Sequence, residues 1–141
     1  MTPIYQGIDL VHVPRIREIM LARPRFVEEV FTRAEREYCL ARRDPYPHFA
    51  GRFAAKEACL KALGTGLFGS GIDGALGEIE VISEKSGKPK LQLTGWTAGI
   101  SRRKKISQFS VSISHSADYA VASVILGGRG HGGESDDWSI E

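Results

Sequence analysis

Apolar and polar positions change period several times along this chain, and each change predicts an element. Ile4 to Val11 is apolar on mixed parity, the pattern of a buried strand. Pro14 suits the first turn of a helix running to about Ala22, and Pro24 opens a shorter helical piece, Arg25 to Phe31. Thr32 followed by Glu35 is a capping-box pattern and predicts a helix from Arg33 to about Arg43. Asp44-Pro-Tyr-Pro47 predicts a turn. The strongest helical period runs from Phe49 to Leu63, with Gly64 placed to end it in the left-handed conformation. Glu78–Ser83 and Lys90–Leu93 predict strands joined as a hairpin around Ser86-Gly87-Lys88-Pro89. Thr94 is positioned to cap a helix from about Gly95 to Lys105. Phe109, Val111 and Ile113 alternate with Ser110, Ser112 and Ser114, the pattern of a half-buried strand. Tyr119 to Leu126 is apolar on both parities, as a central or interface strand requires. Helices lie early and strands mostly late, so the expected class is α+β.

Composition narrows this picture. The chain has 141 residues, enough for one domain with one core, and 42% hydrophobic with 26% charged residues excludes a wholly disordered chain. Its longest apolar run, Tyr119 to Leu126, is far short of the roughly 20 residues of a membrane-spanning helix. The opening Met-Thr-Pro-Ile-Tyr has no basic segment leading into an apolar one, so no secretory signal is expected. Cys39 and Cys59 sit in helical stretches away from any zinc-ligand spacing and suit small core positions in a reducing, cytoplasmic compartment. The net charge of +2 divides unevenly: residues 127–141 carry one Arg against four acids, and residues 1–126 carry 18 basic against 13 acidic side chains. A basic body points to an anionic partner. The glycine-rich acidic tail, 127–141, has the composition of a disordered segment, leaving a single domain over 1–126.

Three features break the pattern of a packed domain. Asp9 lies inside an apolar strand, where a carboxylate either caps the turn before Pro14 or needs a partner or a metal. On the Phe49–Leu63 helix, a wheel with Phe53 at zero puts Phe49, Leu60 and Leu63 on one arc, with Glu57 and Lys61 on its flank at about +40° and +80°. Lys56 falls inside the apolar arc at about −60°, while Ala54, Ala58 and Ala62 form a small-residue stripe that another backbone can approach. Glu57–Lys61 also fits an ordinary surface pair one turn apart, and Lys56 a snorkelling side chain. The third feature is Gly64-Thr65-Gly66, a loop whose N–H groups can approach phosphate oxygens but which follows a helix, unlike nucleotide-binding fingerprints. His115 ends the alternating strand, and Arg102-Arg-Lys-Lys105 is a basic run at a helix end, where a solvated surface is its ordinary role. Two carboxylates, Asp9 and Glu57, are hard oxygen ligands suited to Mg²⁺, and Arg52, Lys56 and Lys61 can hold phosphates. The ingredients suggest phosphoryl chemistry without naming what carries the phosphates.

Gly7-Ile-Asp-Leu-Val-His-Val-Pro-Arg-Ile16, Gly51-Arg-Phe-Ala-Ala-Lys-Glu-Ala-Cys-Leu-Lys-Ala-Leu-Gly-Thr-Gly66 and Val111-Ser-Ile-Ser-His115 together resemble the holo-acyl-carrier-protein synthases, the short 4′-phosphopantetheinyl transferases. The resemblance covers about residues 3–126 and implies that family's fold, early helices packed on a mostly antiparallel sheet. It implies transfer of 4′-phosphopantetheine from coenzyme A to a serine of apo-acyl carrier protein in fatty acid biosynthesis, releasing adenosine 3′,5′-bisphosphate. By position, Asp9 and Glu57 resemble Mg²⁺ ligands, with Glu57, or a metal-bound water, the implied acceptor of the serine proton and Lys61 holding a phosphate and stabilising charge on the leaving group. Arg52, Lys56, Lys61, Gly64, Thr65, Gly66 and His115 are the implied coenzyme contacts. The resemblance also implies a homotrimer with sites between protomers, and no nucleic-acid or membrane partner. Because carrier proteins of this kind are acidic, Arg15, Arg17, Arg23 and Arg25 are the expected docking residues. The rival class is a basic α+β module that holds coenzyme A or nucleic acid without chemistry; it needs no paired carboxylates and tolerates the loss of Asp9.

Overall fold

The computed structural model describes residues 2–64 and 72–128. Thr65, Gly66 and the tail from Arg129 onward lie outside the described residues. The chain runs β1 (Ile4–His12), α1 (Val13–Ala22), α2 (Pro24–Val30), α3 (Arg33–Leu40), α4 (Pro45–Ala62), α5 (Ile72–Gly77), β2 (Ile79–Ser83), β3 (Pro89–Leu93), α6 (Gly95–Arg103), β4 (Ile106–Ser116) and β5 (Tyr119–Gly128). One sheet has the order β1-β5-β4 and the other is the β2-β3 hairpin, and every pairing is antiparallel. The α+β reading holds.

The apolar last strand, β5, is the central one. Its Ala120, Ala122, Val124 and Leu126 are buried beneath α4, and its other face is only half covered. Helix α4 crosses this sheet diagonally, and two glycines mark where it touches. A Cβ on Gly7 of β1 would lie 1.9 Å from the Ala58 carbonyl oxygen, so nothing larger than glycine admits the backbone contact. A Cβ on Gly51 would lie 2.7 Å from Cγ2 of Ile113 on β4. The first half of α4 therefore lies over β4 and the second half over β1. Ala54 and Ala58 are fully buried, so the alanine stripe is where the other backbone approaches. The aromatic end of the core packs Phe31 edge-on to Phe49 at 4.9 Å, with Phe26 bridging Phe31 and Phe53.

Several boundaries differ from expectation for physical reasons. The predicted turn at 44–47 is the first turn of α4: the Asp44 side chain accepts from Tyr46 N at 3.2 Å, and both prolines occupy positions whose N–H has no intrahelical partner. Helix α3 stops at Leu40, though its Thr32–Glu35 capping box forms as expected. Helix α6 stops at Arg103, and Lys105 with φ of 57° turns the chain into β4. Strand β5 runs two residues past Leu126, where Gly128 N donates to Pro3 O at 2.9 Å. Gly64, with φ of 79°, follows α4 in the expected left-handed conformation. Residues 72–77, at the end of a segment with glycine at 64, 66, 69, 71, 74 and 77, form a helix, α5, that no sequence pattern announced.

Candidate active site

Asp9 sits on the face of β1 that turns toward α4, between Gly7 and Val11. The Gly7–Ala58 contact brings it against the second half of that helix. There Lys61 Nζ lies 2.8 Å from Asp9 Oδ1 and donates to the Ile8 carbonyl at 3.1 Å. The surface pair anticipated between Glu57 and Lys61 gives way to this longer-range one. Glu57 lies beside the Asp9 carboxyl, and its own pKa is pushed up to about 8, by burial first and by Asp9 second, with Lys61 opposing. Asp9 Oδ2 is buried without a hydrogen-bond partner. Two ionised carboxylates only accept, so their contact calls for positive charge between them, either a proton on Glu57 or a cation. That orphaned oxygen and the all-oxygen donor set fit a hard divalent ion.

Arg52 and Lys56 point about 140° and 100° away from Glu57 around α4. Lys56 is a correction to the sequence reading. Its side chain is wholly buried: Nζ is 2.7 Å from Glu35 Oε1, donates to Leu76 O at 3.0 Å, and donates also to Ile79 O. All three ammonium protons are used inside the protein, leaving none for a coenzyme phosphate. Burial lowers its pKa and the Glu35 carboxylate opposes that. Glu35 is satisfied in turn by Thr32 N at 2.9 Å and Val81 N at 3.0 Å. This pair fastens α4 to α3, to the end of α5 and to β2.

Arg52 is only 5% exposed, with Nη2 donating to Ser83 Oγ at 2.8 Å and Nε buried without a partner. Its guanidinium carbon lies 4.0 Å from the Tyr38 ring centroid, and Arg42 reaches the same ring at the same distance. His48, in the first turns of α4, meets Tyr38 at 6.2 Å and His115 of β4 at 5.3 Å. Its pKa is lowered, by burial and then by His115, Arg52 and Arg42, while Asp44 opposes. His115 and Arg52 thus lie in one cluster, in company with Tyr38, Arg42 and His48, which the sequence reading missed. The i,i+4 spacing of Tyr38 and Arg42 was the available signal. Gly64 is described and exposed; Thr65 and Gly66 are not described.

The four early arginines are all exposed. Arg15, Arg23 and Arg25 line one groove of about 1020 Å³ between α1 and α2, together with Phe26, Glu18 and Glu29. Arg17 faces away and lies over the Tyr46 ring at 5.2 Å.

The fold that carries this corner and this cluster has known counterparts. The model of the 4′-phosphopantetheinyl transferase superfamily matches residues 6–124, and the chain belongs to that superfamily, among the holo-acyl-carrier-protein synthases. It is 41% identical over 127 residues to the holo-[acyl-carrier-protein] synthase of Caldanaerobacter subterraneus subsp. tengcongensis, covering 89% of this chain and 97% of that one. The apo-ACPS structure from Chronobacterium ammoniagenes is similar at 34% identity and a TM-score of 0.78, over 92% of this chain and 99% of that one. The ACPS–CoA complex of the same organism gives 34% identity and 0.76, over 90% and 98%. No helix among the described residues is long and apolar enough to cross a membrane.

Proposed function

We propose that this enzyme transfers 4′-phosphopantetheine from coenzyme A to a serine of an apo-acyl carrier protein. The observation that carries the reading is the Asp9–Glu57–Lys61 corner, two carboxylates in contact with one oxygen orphaned and a lysine held over them. Asp9 and Glu57 would hold Mg²⁺, which when bound neutralises the pyrophosphate. The ionised Glu57 carboxylate, or a water beside it, would take the serine proton. The serine Oγ–phosphorus bond forms as the bond from that phosphorus to the bridging pyrophosphate oxygen breaks. Adenosine 3′,5′-bisphosphate departs with the electron pair, and Lys61 steadies its charge.

The rest of the coenzyme falls to Arg52, His115 and the loop at Gly64, and the carrier protein to the groove of Arg15, Arg23 and Arg25. The carboxylate corner sits at the β1 edge of the sheet and the cation cluster at the β4 edge, two strand spacings or about 10 Å apart. A homotrimer closes the site by setting one copy's β1 edge toward the next copy's β4 edge, a head-to-tail contact that a threefold rotation completes. Ile8 and Leu10, 61% and 64% exposed on the open sheet face, supply apolar surface for that assembly. The two buried free cysteines are in keeping with a cytoplasmic location. The deciding experiment incubates the enzyme with coenzyme A, Mg²⁺ and an apo-acyl carrier protein and follows the carrier by mass spectrometry. The carrier gains one phosphopantetheine; an unchanged mass refutes the reading.

A further inference from the structure

The Tyr38 ring does something that neither packing nor the transfer chemistry demands. Two guanidiniums, Arg42 and Arg52, lie 4.0 Å from its centroid. His48 meets the ring and then His115, so four cationic or protonatable side chains crowd one place. Among the described residues, neither arginine forms an ion pair, and Asp44 is the carboxylate whose field reaches His48. Like charges gathered without counter-charge repel. Arg52 is more than nine-tenths buried and keeps its Nε unpartnered, a donor without an acceptor.

We propose that Tyr38 is a positioning residue for the coenzyme, a platform whose π face holds Arg42 and Arg52 beside His48 and His115 as a preassembled seat for a phosphate group. The inference rests on the transfer function proposed above and assigns a role to a side chain outside the reacting atoms. The ring draws each guanidinium to its face by electrostatic attraction and so offsets part of their mutual repulsion. Arg42, exposed at the end of α3, would otherwise sample many rotamers. Fixing it before the ligand arrives removes that ordering cost from binding.

The test compares Tyr38→Phe with Tyr38→Leu. Phenylalanine keeps the π face and leaves the KM for coenzyme A within twofold of wild type. Leucine keeps bulk but not the π face, and raises that KM by about tenfold with kcat and the KM for carrier protein nearly unchanged. Repeating the assay with 3′-dephospho-coenzyme A identifies the phosphate: a lost preference for coenzyme A marks the 3′-phosphate, and an equal rise for both marks the pyrophosphate. Arg42→Gln, at an exposed position, produces the same KM change without disturbing the core. Calorimetric binding of adenosine 3′,5′-bisphosphate reads the seat independently of turnover, so a wild-type protein that transfers nothing overturns the function and leaves the seat testable. The proposal fails if Leu binds the bisphosphate as tightly as wild type, or if Phe is as impaired as Leu. It fails equally if kcat, both KM values and thermal stability shift together as from a packing defect.

Discussion

Lys56 and Glu57 are neighbours on α4, and each takes an ionisable group out of water, yet their surroundings differ. Lys56 meets a carboxylate and two carbonyls, and its partner Glu35 meets two further N–H donors, so every charge there has an internal answer. Glu57 meets another carboxylate, and the pair leaves an oxygen with no donor. A buried charge that the protein satisfies by itself belongs to the architecture. One left unsatisfied is a candidate for something that arrives later.

That contrast breaks if the two kinds of charge respond alike to removal. Lys56→Met leaves Glu35 buried without its cation and should cost about 3–5 kcal/mol in a denaturant titration, with the double variant Glu35→Gln/Lys56→Met, which removes the buried charge and keeps an acceptor for the backbone N–H groups, regaining part of it. A midpoint unmoved by the single change would mean that the pair is not structural. Asp9→Asn should do the reverse. It relieves a carboxylate contact, so stability stays level or rises, while turnover falls at least 100-fold, about 2.7 kcal/mol. Near-normal turnover of the purified variant would remove Asp9 from the site.

Mixing sharpens the comparison between the two sheet edges. Asp9→Asn and Arg52→Ala, each inactive alone, should regain about a quarter of wild-type activity when coassembled at equal amounts, because one in four shared sites then pairs two intact halves. No recovery from proven mixed trimers means that each chain builds its own site. The smallest effect is expected at the arginine groove. Arg15→Glu and Arg25→Glu should raise the KM for carrier protein several-fold with little change for coenzyme A, and Arg17→Glu less, since Arg17 lies over Tyr46 instead. Neutralising Arg102–Lys105 is the control, and a larger carrier defect there moves the docking face to α6.

Local patterns carried most of the fold. The Thr32–Glu35 box, the serine alternation of β4 and the stop at Gly64 are decided by near neighbours and were legible. Asp44-Pro-Tyr-Pro was not, because prolines suit a turn and a helical first turn equally, and the 18-residue helix behind them decides. Helix α5 was hidden because its glycines weaken helical propensity, while the Lys56 bond to Leu76 O ties it down from 20 residues away. For the site, Asp9, Glu57 and Lys61 stood out by breaking an apolar pattern or flanking it. Lys56 was correctly placed inside the apolar arc, but its partner Glu35 was invisible at that range. Tyr38, Arg42 and His48 acquire meaning only when α3, α4 and β4 meet.

The strand order has a consequence for how the chain matures during synthesis. Among the described residues strand β1 pairs only with β5, Ile4 opposite Gly127 and Asp9 opposite Ala122, so the earliest of these strands waits for the latest. While the helices between are emerging, β1 presents an open edge and an apolar face with no partner in the sheet. Closing so long a loop is entropically costly and slow relative to forming α3 or α4 locally. A nascent chain can therefore own a formed α4, with Glu57 and Lys61 in place, and still lack the carboxylate that completes the corner. A site that uses Asp9 would then await β5, and a chain released before residue 119 would carry the helical half of that site without the strand that pairs with β1.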